Sequence, residues 1–172
     1  RVYENLKIVL YKIRMVHIMK LTRKVVTKLI KTKHNKAGLT EDHAEGVADV
    51  LVQADERGVH SHGAMRVEYY AERIAKGGIN TSPVFTFEKT GPASAIYDGD
   101  NGVGHVVADL AMDEAIKMAK ETGLAIVGVR RISHSGALSY CVKKAATEKL
   151  IGISLCQSDP MVVPYGGAEP YY

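Results

Sequence analysis

The sequence predicts an α/β protein: a helical pair at the amino end, then a β-hairpin, then strand, helix and strand in βαβ order. Two observations carry this reading. Apolar residues recur at helical spacing up to about residue 80, and from residue 84 the period shortens to two. Two continuous apolar runs, "LAIVGV" and "IGISLCQ", then bracket a periodic stretch, as buried strands flank a crossover helix.

The elements follow in order. Residues 1–18 precede Met19 and are expected to be an extension that the fold does not need, because the apolar opening is broken by Lys12 and Arg14. Thr22 is placed to cap a helix carrying Val25, Val26, Leu29 and Ile30 on one face. "GLT" ends that helix and caps a second, since Thr40 is followed by Glu41, Asp42 and the apolar positions Ala44, Val47, Leu51 and Val52. "GVHSHGAMRVEYY" is a polar turn leading into a further helix. "VFTFE" and "SAIYD", joined by "KTGPA", form the hairpin. "GHVVADLAMDEAIKMAKETG" is a helix with Val107, Leu110, Ala111, Ala115 and Met118 on one face and Gly123 at its end. "LAIVGV" is then a strand buried on both faces, "GALSYCVKKAATEKL" a helix and "IGISLCQ" a second buried strand.

Composition excludes several classes. With 46% hydrophobic and 24% charged residues in a chain of 172, the protein is globular rather than disordered. The net charge of +4 is concentrated before Gly38, and no basic stripe interleaved with aromatics follows, so a nucleic-acid surface is not expected. Lys and Arg interrupt every run that approaches the roughly 20 apolar residues of a membrane helix. Cys141 and Cys156 lie in apolar periodic segments and read as buried, reduced thiols of a cytoplasmic protein.

Candidate chemistry gathers after the strands. Ligands in open α/β sheets collect outside the carboxyl ends of parallel strands, where "RRISHSG" and "SDP" fall. His134 there is either a general base or, with Ser135, a cap on the next helix. Ser158 and Asp159 hold the matching place one unit later. In the earlier stretch, His60 and His62 have the spacing of a two-histidine metal site, but Gly58 and Gly63 bracket them and no third ligand has a recognisable spacing, so no metal is expected. Ser61, His62 and Arg66 make a small anion cradle or a plain polar turn, and Tyr69 and Tyr70 pack or line it. "GDNGVGH" lacks the glycine spacing of a phosphate loop and is read as a turn.

The stretches "ADERGVHSHGAMRVEYYAERIAKGG", "GVRRISHSGALSY" and "GISLCQSDPMVVPYGGAE" resemble the malate/L-lactate dehydrogenase family, which is distinct from the Rossmann-type lactate dehydrogenases. The resemblance runs from about Met19 to the last residue and covers roughly the amino-terminal half of a family member. It implies a non-classical NAD-binding fold, here truncated, with residues 19–82 as a helical segment bearing the substrate-side motif and residues 83–172 as an incomplete cofactor domain. The implied activity is oxidation of a 2-hydroxy acid with NAD by a homodimer, with ureidoglycolate favoured over malate, lactate or sulfolactate. His134 matches the acid/base of the family's "HSG" motif, and Ser158 a cofactor contact. Ser61, His62, Arg66, Tyr70 and Asp159 fall on the substrate side, with Arg66 the implied partner of the carboxylate. The family's glycine before the base is Ser133 here.

Overall fold

The computed structural model describes residues 21–157, 160 and 162–171. The expectation for residues 1–18 and those for Ser158 and Asp159 lie outside that set.

The amino-terminal layer is helical, as its sequence period requires. Helix α1 spans Arg23–Ala37 and α2 spans Glu41–Glu56, joined by Gly38, whose φ of +123° stops the first helix without a Cβ penalty. Thr40 then caps α2 by accepting a hydrogen bond from the His43 amide at 3.4 Å, with Glu41 and Asp42 favourable at the positive end of the helix. Thr40→Ala is expected to lower stability by about 0.5–1 kcal/mol, measured as a shift in urea midpoint. The two helices and α3, Val67–Ala75, enclose a core of Ile30, Val47, Leu51, Tyr70 and Ile74. The face expected of α1 is only partly used. Ile30 is buried, whereas Val25 and Leu29 are exposed, because α2 and α3 cover a narrower stripe than the sequence offers.

The second layer is a three-stranded sheet in the order β1–β2–β3, with β1 at Thr86–Gly91, β2 at Ser94–Gly102 and β3 at Ile126–Ile132. The expected hairpin forms: β1 and β2 are antiparallel, with Phe87 opposite Tyr97. Strand β3 pairs with β2 in parallel, so the crossover is α4, Gly104–Thr122, which lays Val107 and Ala111 against Tyr97. Gly123 closes α4 in the left-handed conformation, as read from sequence.

Two expectations about the later chain are corrected. "IGISLCQ" forms no strand: Ile151 is 95% and Leu155 88% exposed, and the helix before it, α5 at Ser139–Thr147, therefore does not cross between strands. Nor is "LAIVGV" buried on both faces, since Leu124, Ile126 and Val129 are exposed. Both departures have one cause. Strand β3 is the edge of this sheet, and an apolar run becomes a two-sided buried strand only when further elements cover it. Cys156 lies on the same uncovered segment and is exposed, while Cys141, on α5, is buried as expected.

Candidate active site

Between α2 and α3 the chain makes two single turns of 3₁₀-helix, His60–His62 and Ala64–Arg66. Asp55, at the end of α2, organises them. One carboxylate oxygen meets His60 Nδ1 at 2.9 Å and the other accepts from the Ala64 amide at 2.7 Å. A Cβ on Gly63 would fall on that carboxylate, so the turn closes only around a glycine. The two histidines consequently face different partners: His60 is tied to Asp55, and His62 takes Ser61 Oγ on Nδ1 at 3.0 Å. The strand that would set both rings on one face for a metal does not exist here. Among the described residues no group of three potential ligands is arranged around a metal position.

From this turn α3 carries Tyr70 inward to meet His134, which follows β3. Tyr70 Oη is 2.8 Å from His134 Nδ1, and the Gly136 amide donates to the same nitrogen at 3.0 Å. An amide N–H can only donate, so Nδ1 carries its lone pair in this arrangement. Burial pushes the Tyr70 hydroxyl up to about 12, so it is a protonated phenol and the second donor. Neutral His134 then holds its hydrogen on Nε2, the ring nitrogen to which no described residue bonds.

Charge reinforces that neutrality. Burial lowers the His134 pKa, and the positive field of Arg66, with smaller contributions from His62 and Arg73, lowers it further. His62 lies nearly parallel to the His134 ring, with centroids 5.7 Å apart, and its own pKa is lowered by burial and then by Arg66. Arg66 is anchored through Nε, which donates to the Ser61 carbonyl at 2.6 Å, and its guanidinium carbon lies 6.0 Å from the centre of the Tyr69 ring. Fixed at Nε and over a ring, the guanidinium keeps two terminal nitrogens for a planar anion.

Ser133, the residue before His134, is also placed: its Oγ accepts from the Gly104 amide at 3.0 Å and so caps the start of α4.

Five of the seven residues expected at the site, Ser61, His62, Arg66, Tyr70 and His134, are thus brought into one cluster from two distant stretches. Two residues that the sequence did not single out belong with them. Asp55 builds the turn, and its signal was an acidic residue at a helix end eight positions before a glycine. His105 stands behind Tyr70, and its signal was a histidine on the buried face of α4.

Comparison with known proteins agrees with this architecture. Over residues 21–172 the sequence matches the model of the malate/L-lactate dehydrogenase family. It is 59% identical over 154 residues to ureidoglycolate dehydrogenase (NAD(+)) of Escherichia coli O157:H7, covering 90% of this chain and 44% of that protein. It is 46% identical over 134 residues to malate dehydrogenase of Pyrococcus horikoshii, covering 78% and 37%. The solved malate dehydrogenase structure from Pyrococcus horikoshii superposes with a TM-score of 0.83 at 41% identity, over 88% of this chain and 44% of that one. Sulfolactate dehydrogenase of Methanocaldococcus jannaschii gives 0.72 at 38% identity, over 76% and 38%. The chain therefore spans less than half the length of these relatives. With the match running through every described residue, from just before α1 to the segment after α5, this chain belongs to the malate/L-lactate dehydrogenase family.

Proposed function

We propose that this chain carries the proton-transfer and carboxylate-binding part of an NAD-dependent 2-hydroxy-acid dehydrogenase, with (S)-ureidoglycolate as the substrate and oxalurate as the product. The observation that carries this reading is the Tyr70–His134 pair with the Arg66 guanidinium beside it. The identity to ureidoglycolate dehydrogenase supports the substrate and the cofactor. A homodimer in the cytoplasm, working in allantoin breakdown, completes the proposal. Residues 19–82 are its substrate side and residues 83–172 part of its cofactor side.

Oxidising a 2-hydroxy acid removes a proton from the hydroxyl and a hydride from the carbon, and the described residues serve the proton. The terminal nitrogens of Arg66 would hold the carboxylate, with His62 and Ser61 alongside. His134 would then meet the 2-oxygen through Nε2. With its hydrogen on Nε2 the ring donates to the oxygen of a 2-oxo acid. To take the proton of a hydroxyl it must present Nε2 bare, which moves the hydrogen to Nδ1 and gives up the Gly136 amide. The Tyr70 hydroxyl can turn from donor to acceptor, so it follows Nδ1 through both states.

The dinucleotide is a different matter. The glycine-rich turn before α4 does not fit it: the Cβ space of Gly102 is taken by Pro83 and Phe85, and that of Gly104 by the Ser133 carbonyl. Ser158, the residue expected to touch the cofactor, lies outside the described residues. NAD is proposed from the relatives alone.

The test follows reduced nicotinamide absorbance for the chain, alone and extended to the relatives' length, with NAD and a panel of ureidoglycolate, malate, lactate and sulfolactate. Turnover with ureidoglycolate is expected, falling by about 10²–10⁴-fold in His134→Ala. Arg66→Lys is expected to raise KM, because an ammonium cannot make the two-pronged contact. Preference for malate, for which the 46% identity to a malate dehydrogenase speaks, would transfer the reading to another 2-hydroxy acid. Silence from folded, extended protein with every substrate would leave a non-catalytic module that dimerises or binds a small anion.

A further inference from the structure

A second histidine stands directly behind the first. His105, the second residue of α4, is 2% exposed, and neither of its ring nitrogens has a hydrogen-bond partner among the described residues. Its ring meets the Tyr70 ring edge to face, at 86° with centroids 4.8 Å apart. Its other edge lies against Gly136: a Cβ there would be 2.7 Å from His105 Cδ2 and 2.9 Å from Nε2. Gly136 also has a φ of +79°, so glycine is required there twice over. One buried ring therefore abuts both groups that bond His134 Nδ1.

We propose that His105 is a positioning residue, which wedges Tyr70 and Gly136 so that both donate to His134 Nδ1 and the neutral ring keeps its hydrogen on Nε2. This rests on the acid/base reading of His134 given above: the form so held is the one that donates from Nε2 to a 2-oxygen, and taking a hydroxyl proton requires its exchange for the Nδ1–H form. What His105 supplies is shape rather than charge. It is desolvated, it sits at the start of a helix, where the dipole opposes a cation, and the groups around it, His134, His34, Arg66 and His62, add positive field or none. A flat, neutral five-membered ring is thin enough to lie between the tyrosine and the glycine. A branched aliphatic side chain would fill the volume without matching both surfaces.

The wedge can be tested without substrate or cofactor, by long-range ¹H–¹⁵N correlation on the histidine rings of the ¹⁵N-labelled 172-residue chain. In the unaltered chain His134 is expected to be neutral at pH 7 with a bare Nδ1, and a nuclear Overhauser contact should join His105 Hδ2 to a Gly136 Hα. Tyr70→Phe, which keeps the ring on His105 but deletes the hydroxyl from Nδ1, calibrates the response. In His105→Asn the excess of the Nε2–H form over the other tautomer is expected to fall roughly fivefold, the worth of about one net hydrogen bond. An unchanged tautomer ratio in folded His105→Asn would overturn the proposal. Should that variant not fold, the unaltered chain still decides: hydrogen on Nδ1, or no contact between His105 and Gly136, overturns it as well. Absence of dehydrogenase activity from the unaltered chain extended to the relatives' length, with the tautomer as expected, would count against the proposed function and not against the wedge.

Discussion

His105→Leu is expected to leave the chain as stable as the original at pH 7 and to make it more stable by about 3 kcal/mol at pH 4. Burial is the first cause, and the nearby His134 the second, of a His105 pKa held down to about 3, against 6.5 for the unfolded chain. The unfolded state therefore binds this proton first. Stability conferred by the neutral imidazole is complete above pH 6.5 and is lost as pH falls toward 3, at about 1.4 kcal/mol per pH unit. The drop from 6.5 to 4 thus amounts to roughly 3 kcal/mol, and leucine, which does not titrate, escapes it. At neutral pH two opposing effects meet: leucine removes two unpaired buried nitrogens, worth about 1–3 kcal/mol, but packs less closely against Tyr70 and Gly136, at a similar cost. Urea unfolding of both chains from pH 7.5 to 4 measures the difference. Parallel curves across that range would mean that His105 gains a partner or water when protonated, contrary to its enclosure.

His34, also buried and also with a lowered pKa, adds to the acid loss in both chains and cancels in the comparison. Asp98 acts in a separate window. Its carboxylate is held at about 2 by Arg131 first, then by the Asp100 amide and Arg130, so its share is lost only below about pH 4.

The sequence carried the fold wherever a segment completes its burial within the described residues. Thr40, the hairpin and the α4 face were legible because a cap, a turn and a 3.6-residue stripe are each satisfied by neighbours close in the chain. The run "IGISLCQ" was misread for the converse reason. Its apolarity states that something covers it, and periodicity cannot say whether that cover lies within these residues. The same limit applies to the site. Arg66 and His134 could be named from motifs, yet nothing in either motif states that Tyr70 bonds Nδ1, because that contact joins residues 64 positions apart. The βαβ expectation failed in its register of elements and held in its physics, since β2, α4 and β3 form such a unit one step earlier than read.

Gly104→Ala is expected to destabilise the chain and to disorder the site, although helix propensity alone predicts a gain. Position 104 is the first residue of α4, where the advantage of alanine over glycine is smaller than the roughly 1 kcal/mol of a helix interior. Its φ is not in the left-handed range, so alanine meets no backbone strain there. The obstacle is space. An added Cβ would fall on the Ser133 carbonyl oxygen and lie 2.7 Å from the His134 carbonyl oxygen, and both are backbone atoms that cannot swing aside. The segment 133–136 must therefore shift as a unit, which breaks the Ser133 cap on the Gly104 amide and carries His134 away from Tyr70. Overpacking of this kind costs about 1–3 kcal/mol, enough to outweigh the propensity term. Gly128→Ala is the control: it sits in β3 with no atom but the Ala95 carbonyl oxygen, at 3.9 Å, in reach of a new Cβ. Urea midpoints should place Gly104→Ala about 2 kcal/mol below the original chain and Gly128→Ala close to it. The His134 tautomer excess should collapse in the first and persist in the second. A stable Gly104→Ala chain with the tautomer intact would show that segment 133–136 is free to yield, and that the site is held from α3 instead of α4.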